Sequence, residues 1–77
     1  PTEIVRSVAC IVELGSFTKA AERLGITQPA ISAQIKRLQV MVGGAIFERT
    51  AGGVGLSERG KLVLPLIRRF LEANDQI

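Results

Sequence analysis

The 77-residue sequence contains no histidine and one cysteine, Cys10, and its seven acidic side chains are spread along the chain. Histidine and paired carboxylates are the groups that most often move protons in enzymes. Histidine, cysteine and clustered carboxylates are also the usual ligands of metal ions. The sequence therefore predicts no catalytic residue, no metal site and no cofactor within this chain, and we expect it not to be an enzyme.

A single cysteine also excludes an internal disulfide. Cys10 lies in an apolar pattern of helical spacing, which predicts a buried core side chain rather than a reactive thiol. The chain has no run of about 18 apolar residues that could span a membrane, and it shows no signal peptide. We therefore expect no membrane partner and a reducing, cytoplasmic location.

The length and the apolar fraction of 47% predict one small globular domain with a modest core. Such a domain has little room for a deep substrate cleft. The sequence has no initiator methionine and stops within a helical pattern, so we expect it to be a fragment of a longer protein.

Positive charge is concentrated in the middle of the chain. Residues 16–61 carry seven basic side chains against three acidic ones, a net charge of +4. The two ends together carry three basic and four acidic side chains, a net charge of −1. A basic segment between near-neutral ends suits a surface that faces a polyanion, although the pattern does not by itself identify that polyanion.

Apolar residues at helical spacing predict a first helix from Thr2 to Leu14, with Gly15 as its stop. Its inward stripe is expected to comprise Ile4, Val5, Val8, Ile11 and Val12, with Ala9 filling it.

A second, short helix is predicted to begin at a cap supplied by Ser16 or Thr18 and to end at Gly25. Its inward residues are expected to be Ala20, Ala21 and Leu24. Phe17 is interpreted as a core residue between the helices rather than as a platform on which a base stacks.

A third helix is predicted from Thr27, its N-cap, to about Val42. Pro29 falls in the first turn, where a missing amide hydrogen removes no helical bond. One stripe is apolar and is expected to face inward: Ile31, Ile35, Leu38 and Val42. The opposite arc holds small or basic residues: Pro29, Ala33, Lys36, Arg37 and Val40. One flank holds Gln28, Ser32 and Gln39.

A short helix, a glycine-containing turn and a longer helix together describe a helix-turn-helix. Ala21 would let the two helices approach, Gly25 would turn the chain, and Ile31 would lock the second helix. The alternative is an ordinary helical hairpin whose outer face is merely solvated.

Two extended segments, 45–49 and 54–56, are predicted to form a small hairpin, or wing, across the glycine-rich turn 50–53. Ser57 can cap a final helix, which Pro65 should kink or loosen. That helix carries more apolar surface than one small core can cover, so burial against a second copy is the expected outcome. The alternative is that the apolar stripe packs only on the first helix of the same chain. The residues expected to dimerise are Leu62, Val63, Leu66, Ile67, Phe70 and Leu71.

The segment GLSERGK, residues 55–61, imitates the phosphate-binding pattern G-x-x-x-x-G-K. Leu62 stands where that motif needs a serine or threonine to bind magnesium, and no buried strand precedes it. We therefore reject a nucleotide-binding interpretation.

The run GSFTKAAERLGITQPAISAQIKRL, followed by IFERT and LSERG, resembles the N-terminal DNA-binding domain of LysR-type transcriptional regulators. The resemblance covers nearly the whole chain and implies a mostly α winged helix-turn-helix in residues 1–57. It also implies a linker helix in residues 58–77 that forms a homodimer, or a tetramer at full length. An effector-binding domain, with its small-molecule effector, would follow outside this chain.

The resemblance implies that double-stranded DNA is the partner, with helix 28–42 in the major groove. The wing, residues 46–56, would lie on the adjacent backbone or in the minor groove. Gln28, Pro29 and Ser32 are the expected base contacts, because glutamine pairs with adenine edges and proline offers an apolar surface to a thymine methyl. The alternative for Gln28 and Ser32 is local capping and solvation. Small residues such as Ala30 and Ala33 would let the helix approach the bases.

Five side chains are expected to contact phosphates: Thr18, Thr27, Lys36, Arg37 and Arg49. The two threonines stand at helix N-termini, where amide hydrogens can hold an anion. The two cations of the third helix could instead be solvated, and the alternative for Arg49 is a surface ion pair with Glu48 or Glu58.

The sequence departs from the family at several positions. Ala33 replaces a residue that is often arginine or polar, and Gln39 stands where glutamate is usual. The wing tip lacks the arginines of many members, so Arg49 is expected to act nearly alone there. A different class of function also stays open, a winged helix used for protein contacts alone, whose binding would hardly respond to salt.

Overall fold

The computed structural model describes the backbone of residues 2–75 and the side chains of residues 3–69. Its elements are α1 (Thr2–Leu14), α2 (Phe17–Leu24), α3 (Gln28–Val42), β1 (Phe47–Thr50), β2 (Gly53–Leu56) and α4 (Glu58–Asp75). Four helices and one antiparallel hairpin confirm the predicted fold class, a winged helix-turn-helix. Within the described residues, no helix is both long and apolar enough to cross a bilayer.

The core lies where α1, α2 and α3 meet. Ile31, Ile35 and Leu38 are buried on one side of α3, and Val42 is half-buried beside them, as the helical spacing predicts. Ala20 and Ala21 are buried in α2, and their small side chains allow α3 to pack closely against that helix. Cys10 is also buried in this cluster, which confirms its predicted structural role.

The boundaries of the helix-turn-helix are set by local hydrogen bonds. Ser16, rather than Thr18, caps α2, since its side-chain oxygen accepts from the Lys19 amide at 3.1 Å. Gly25 ends that helix with φ +71°, a left-handed conformation that glycine adopts without strain. Thr27 caps α3 by accepting from the Ala30 amide at 3.2 Å.

The inward face of α1 differs from the predicted stripe. Val12 is exposed, while Ser7 is 2% exposed and donates its hydroxyl hydrogen to the Gln34 side-chain oxygen of α3. Burying a hydroxyl is tolerated because this bond satisfies it. The apolar pattern placed Ile4, Val8 and Ile11 correctly but Val12 wrongly. It missed Ser7, because the partner of that polar side chain lies 27 positions along the sequence.

The wing pairs Phe47 with Leu56 and Thr50 with Gly53 across a two-residue turn, Ala51-Gly52. The predicted first strand, 45–49, therefore began two residues too early and ended one too soon, and the predicted turn, 50–53, was too long. The strand begins after Ile46 because Ile46 is buried below the hairpin, and its backbone groups bond to the Gln39 side chain and the Ser57 amide.

The wing contacts the end of α1 and the start of α2. The amide of Val54 donates to the Gly15 carbonyl at the end of α1, at 3.0 Å. The rings of Phe17 and Phe47 meet edge to face with centroids 5.6 Å apart. Phe17 is thus a half-buried packing residue, which confirms the interpretation from the sequence.

The final helix begins as predicted, because the Ser57 side-chain oxygen accepts from the Gly60 amide at 3.0 Å. Pro65 lies inside α4, where it has no amide hydrogen to offer the preceding turn. The division into residues 1–57 and 58–77 stays a prediction, and the first half of α4 packs on the core through Val63, Leu64 and Ile67.

The residues predicted to dimerise occupy two environments. Val63 and Ile67 are half-buried against the core of the same chain, whereas Leu62 and Leu66 are 73% and 62% exposed. The side chains of Phe70 and Leu71 lie outside the described part of the chain. Leu62 and Leu66, one turn apart, therefore form the apolar face of α4 that this chain leaves in solvent.

Replacing Gly53 with alanine should destabilise the protein by about 2 kcal/mol. Gly53 has φ +126°, and a Cβ atom there would overlap the carbonyl oxygen of Gly15. Urea unfolding followed by circular dichroism measures the change. Gly52→Ala is the matched control, since a Cβ at that position meets nothing within 4 Å. Equal unfolding midpoints for the two variants would contradict this account of the wing attachment.

Candidate nucleic-acid interface

An open groove of about 910 Å³ separates α3 from the wing. We call it the interface groove. One wall is the flank of α3, the other is the hairpin, and the start of α2 closes one end. The side chains and backbone that line it belong to Gly15, Ser16, Phe17, Gln28, Ser32, Ile35, Lys36, Gln39, Phe47, Glu48, Arg49, Gly53 and Val54.

Two of the predicted base-contacting residues are joined within this groove. Gln28 and Ser32 lie one turn apart on α3, and the Gln28 Nε2 donates to the Ser32 Oγ at 2.8 Å. The bond restrains the otherwise mobile Gln28 side chain and leaves its Oε1 as an acceptor. The Ser32 hydroxyl still has its own hydrogen to donate. The pair therefore presents an acceptor and a donor side by side.

Two cations lie on opposite walls of the interface groove, Lys36 on α3 and Arg49 on β1. Both side chains are exposed, and neither has a carboxylate within 4 Å among the described residues. Glu58, one of the alternative partners considered for Arg49, pairs with Lys61 instead. The positive charge on both walls is thus available to an anion in the groove.

Four predicted contact residues lie outside the lining of the interface groove. Pro29 is exposed on the outer arc of α3, as predicted, and Arg37 lies on the far side of that arc beside Val40 and Met41. Thr27 is exposed and its hydroxyl caps α3, while Thr18 is exposed in the first turn of α2. The structure therefore brings Gln28, Ser32, Lys36 and Arg49 into the groove. Pro29, Arg37, Thr27 and Thr18 lie around it.

A set of hydrogen bonds that the sequence did not reveal holds the wing and α4 to the end of α3. The Gln39 Oε1 accepts from the Ile46 amide at 3.0 Å, and the Ser57 hydroxyl donates to the Ala45 carbonyl at 2.8 Å. Arg59 donates to the Val42 carbonyl at 3.1 Å, where a cation also suits the negative end of the helix dipole. We call these three side chains, Gln39, Ser57 and Arg59, the clasp.

The clasp explains a glycine that the sequence showed only as a break. A Cβ atom on Gly44 would come within 2.6 Å of the Arg59 Nε, so the loop after α3 fits under Arg59 without a side chain there. The glycine pair 43–44 is visible in the sequence. It does not indicate that the neighbouring side chain is an arginine 15 positions beyond Gly44.

The described lining of the interface groove contains no histidine or cysteine and one acidic side chain, Glu48. Among the described residues, no three histidine, cysteine, aspartate or glutamate side chains come together in a way that could hold a metal ion. The described lining of the groove offers hydrogen bonding and a net positive charge, because Lys36 and Arg49 outnumber Glu48.

The family model for bacterial regulatory helix-turn-helix proteins of the lysR family matches residues 3–61, which include α2, α3 and the wing. The chain belongs to the LysR family. This confirms the resemblance read from the motifs. The LysR regulator AmpR of Rhodobacter capsulatus, an HTH-type transcriptional activator, is 35% identical to the chain over 77 residues.

Solved LysR-family structures share the fold. The crystal structure of the CbnR_DBD–DNA complex matches 99% of this chain and 87% of that chain, with a TM-score of 0.78 and 29% identity. The BenM_DBD/catB site 1 DNA complex matches 99% and 85%, with a TM-score of 0.77 and 33% identity. The match to AmpR covers 100% of this chain but 27% of AmpR, and the chain spans about a quarter of the length of the curated relatives it matches.

Proposed function

We propose that this chain is the sequence-specific DNA-binding module of a bacterial LysR-type transcriptional regulator. The observation that carries the proposal is the interface groove, in which the Gln28–Ser32 pair lies beside two cations that have no described partner, Lys36 and Arg49. A surface that recognises a DNA sequence needs polar side chains that contact the base edges and cations beside them that bind the phosphate backbone.

In this proposal α3 enters the major groove with its N-terminal turn first. Gln28, Pro29 and Ser32 then face the bases, and the exposed Ala30 and Ala33 keep the helix surface low enough for a close approach. The Gln28–Ser32 hydrogen bond lowers the entropic cost of recognition, because the glutamine is already restrained before DNA arrives.

The phosphates are held by groups around this reading surface. Lys36 and Arg37 project from α3 on either side of its outer arc, and Arg49 reaches from the wing to the adjacent backbone or minor groove. Thr18 and Thr27 stand in the first turn and at the cap of their helices, where amide hydrogens favour an anion. Both threonines can keep their local roles while a phosphate binds.

The LysR-family match and the two DNA complexes of similar fold support this proposal. For the whole protein we infer a cytoplasmic regulator without enzymatic activity. A small-molecule effector would bind a further domain outside this chain, and assembly would proceed through a homodimer, or a tetramer at full length.

Replacing Gln28 or Ser32 with alanine should weaken binding to a specific duplex by about 1–3 kcal/mol and leave non-specific binding nearly unchanged. The specific duplex is obtained by in vitro selection from a random library, and fluorescence anisotropy gives both affinities. Val12→Ala, at an exposed position of α1 outside the interface groove, is the control. Equal losses on selected and scrambled duplexes would contradict base reading.

Neutral variants of Lys36, Arg37 and Arg49 should weaken binding to every duplex alike. Each should reduce the slope of log K against log salt by about one unit, because one fewer counterion is released. Lys61→Gln, whose parent side chain pairs with Glu58 outside the interface groove, is the control. A wild-type affinity that does not respond to salt would favour the alternative, a winged helix that binds protein.

Dimerisation is proposed to bury the face of α4 formed by Leu62 and Leu66, which are 73% and 62% exposed. Val63 and Ile67 contribute less to that interface, since each is half-buried against its own core. An apolar face repeated in two copies is buried most simply around a twofold axis. Two recognition helices would then lie about 34 Å apart, the spacing of half-sites one helical turn apart.

Changing Leu62 and Leu66 together to glutamine should turn a dimer into a folded monomer, since the shared apolar face is lost. Sedimentation equilibrium at high micromolar concentration measures the mass. Val40 and Met41, 76% and 78% exposed on α3, provide the control pair, and their glutamine variants should remain dimeric. A wild-type chain that is monomeric, yet binds a two-half-site duplex at full strength, would overturn this interface.

A further inference from the structure

Gln39 takes part in two structures at once. It belongs to the clasp, and it also lines the interface groove on the same flank of α3 as Ser32 and Lys36. Its side chain is half-buried, and the two ends of its amide are therefore in different surroundings. The end of the amide that bonds to Ile46 has a structural role. The other end has no role in the contacts described above.

The orientation of this amide follows from its partner. The Ile46 amide is a donor, so the Gln39 end that meets it at 3.0 Å must be the oxygen. The Nε2 then points away from Ile46 and has no acceptor among the described residues. No buried side-chain nitrogen or oxygen in that part of the chain lacks a partner, so the half-buried Gln39 keeps its Nε2 in contact with solvent.

We propose that Gln39 is a further DNA-contacting residue, whose Nε2 donates to a phosphate oxygen of the strand lying in the interface groove. The inference rests on the proposed function. Gln39 lies 11 residues beyond Gln28, about 16 Å further along the helix. Base edges are read by the first turns of a recognition helix, and its later turns meet the backbone.

The charges around Gln39 favour the same ligand. Lys36 is one turn before it on α3, and Arg49 is on the opposite wall, where Glu48 also lines the groove. The two cations outnumber this one carboxylate, so the net charge of the groove attracts an anion. A neutral donor between two cations adds a directed hydrogen bond without a further charge to desolvate. Through its oxygen the same side chain fixes the segment that leads into the wing, so wing position and phosphate contact are coupled.

Gln39→Glu tests the proposal by exchanging only the side-chain NH2 group for an oxygen. A glutamate, the residue that is usual in the family at this position, keeps an oxygen for the Ile46 amide but has a second oxygen in place of the Nε2 donor, so the hydrogen bond to phosphate is lost. We expect urea unfolding to be nearly unchanged. Affinity for a random-sequence duplex and for an in vitro selected duplex should fall by about tenfold each, with anisotropy as the measurement.

Val12→Glu is the matched control, because it adds the same charge at an exposed position of α1 outside the interface groove. Its affinity should stay within about twofold of wild type at moderate salt. A Gln39→Glu affinity equal to that of the control overturns the contact, as does a loss on the selected duplex alone. A large loss of stability in Gln39→Glu overturns the amide orientation. Failure of the proposed function is distinguishable, since the wild-type chain would then bind neither duplex.

Discussion

The burial of Ile31, Ile35 and Leu38 against α1 and α2 is the constraint on which the rest of the molecule depends. With that side of α3 inward, geometry leaves the small and basic side chains on its outer arc and the glutamine flank toward the wing. Pro29 has no amide hydrogen to leave unpaired, and the Thr27 side chain accepts from the Ala30 amide, so the first turn of α3 can be exposed with few free donors. The functional surface is thus a consequence of the core.

The second constraint is the clasp, which places the wing and α4 relative to α3. Its bonds run from side chains of α3, of Ser57 just before α4, and of α4 to backbone groups of residues 42–46, so they do not depend on the side chains of that loop. Because Arg59 belongs to α4 and donates to the last carbonyl of α3, the orientation of the exposed face formed by Leu62 and Leu66 is linked to that of α3. The proposed spacing of half-sites depends on this link as much as on Leu62 and Leu66.

Periodicity and capping residues predicted the helices well, because the ends of these helices depend on residues adjacent in the sequence. Thr27, Gly25 and Ser57 each act at the helix end where they occur. The wing bounds and the face of α1 were predicted less well, since Ile46 and Ser7 are fixed by partners distant in sequence. For the candidate site, the motif supplied Gln28, Ser32, Lys36 and Arg49, which the structure brings into one groove. The motif did not supply Gln39, because the orientation of its side-chain amide is set by the Ile46 amide in the folded chain.

The central claim is that DNA lies in the interface groove, against the first turns of α3 and the wing. Mapping backbone amide chemical shifts of the isotope-labelled chain on addition of a selected duplex tests it most directly. The account predicts the largest changes in residues 28–36, in the first turn of α2 and along β1, with small changes on the buried side of α1. Changes confined to α4, or to the α3 surface around Val40 and Met41, with the groove residues unmoved, would contradict it.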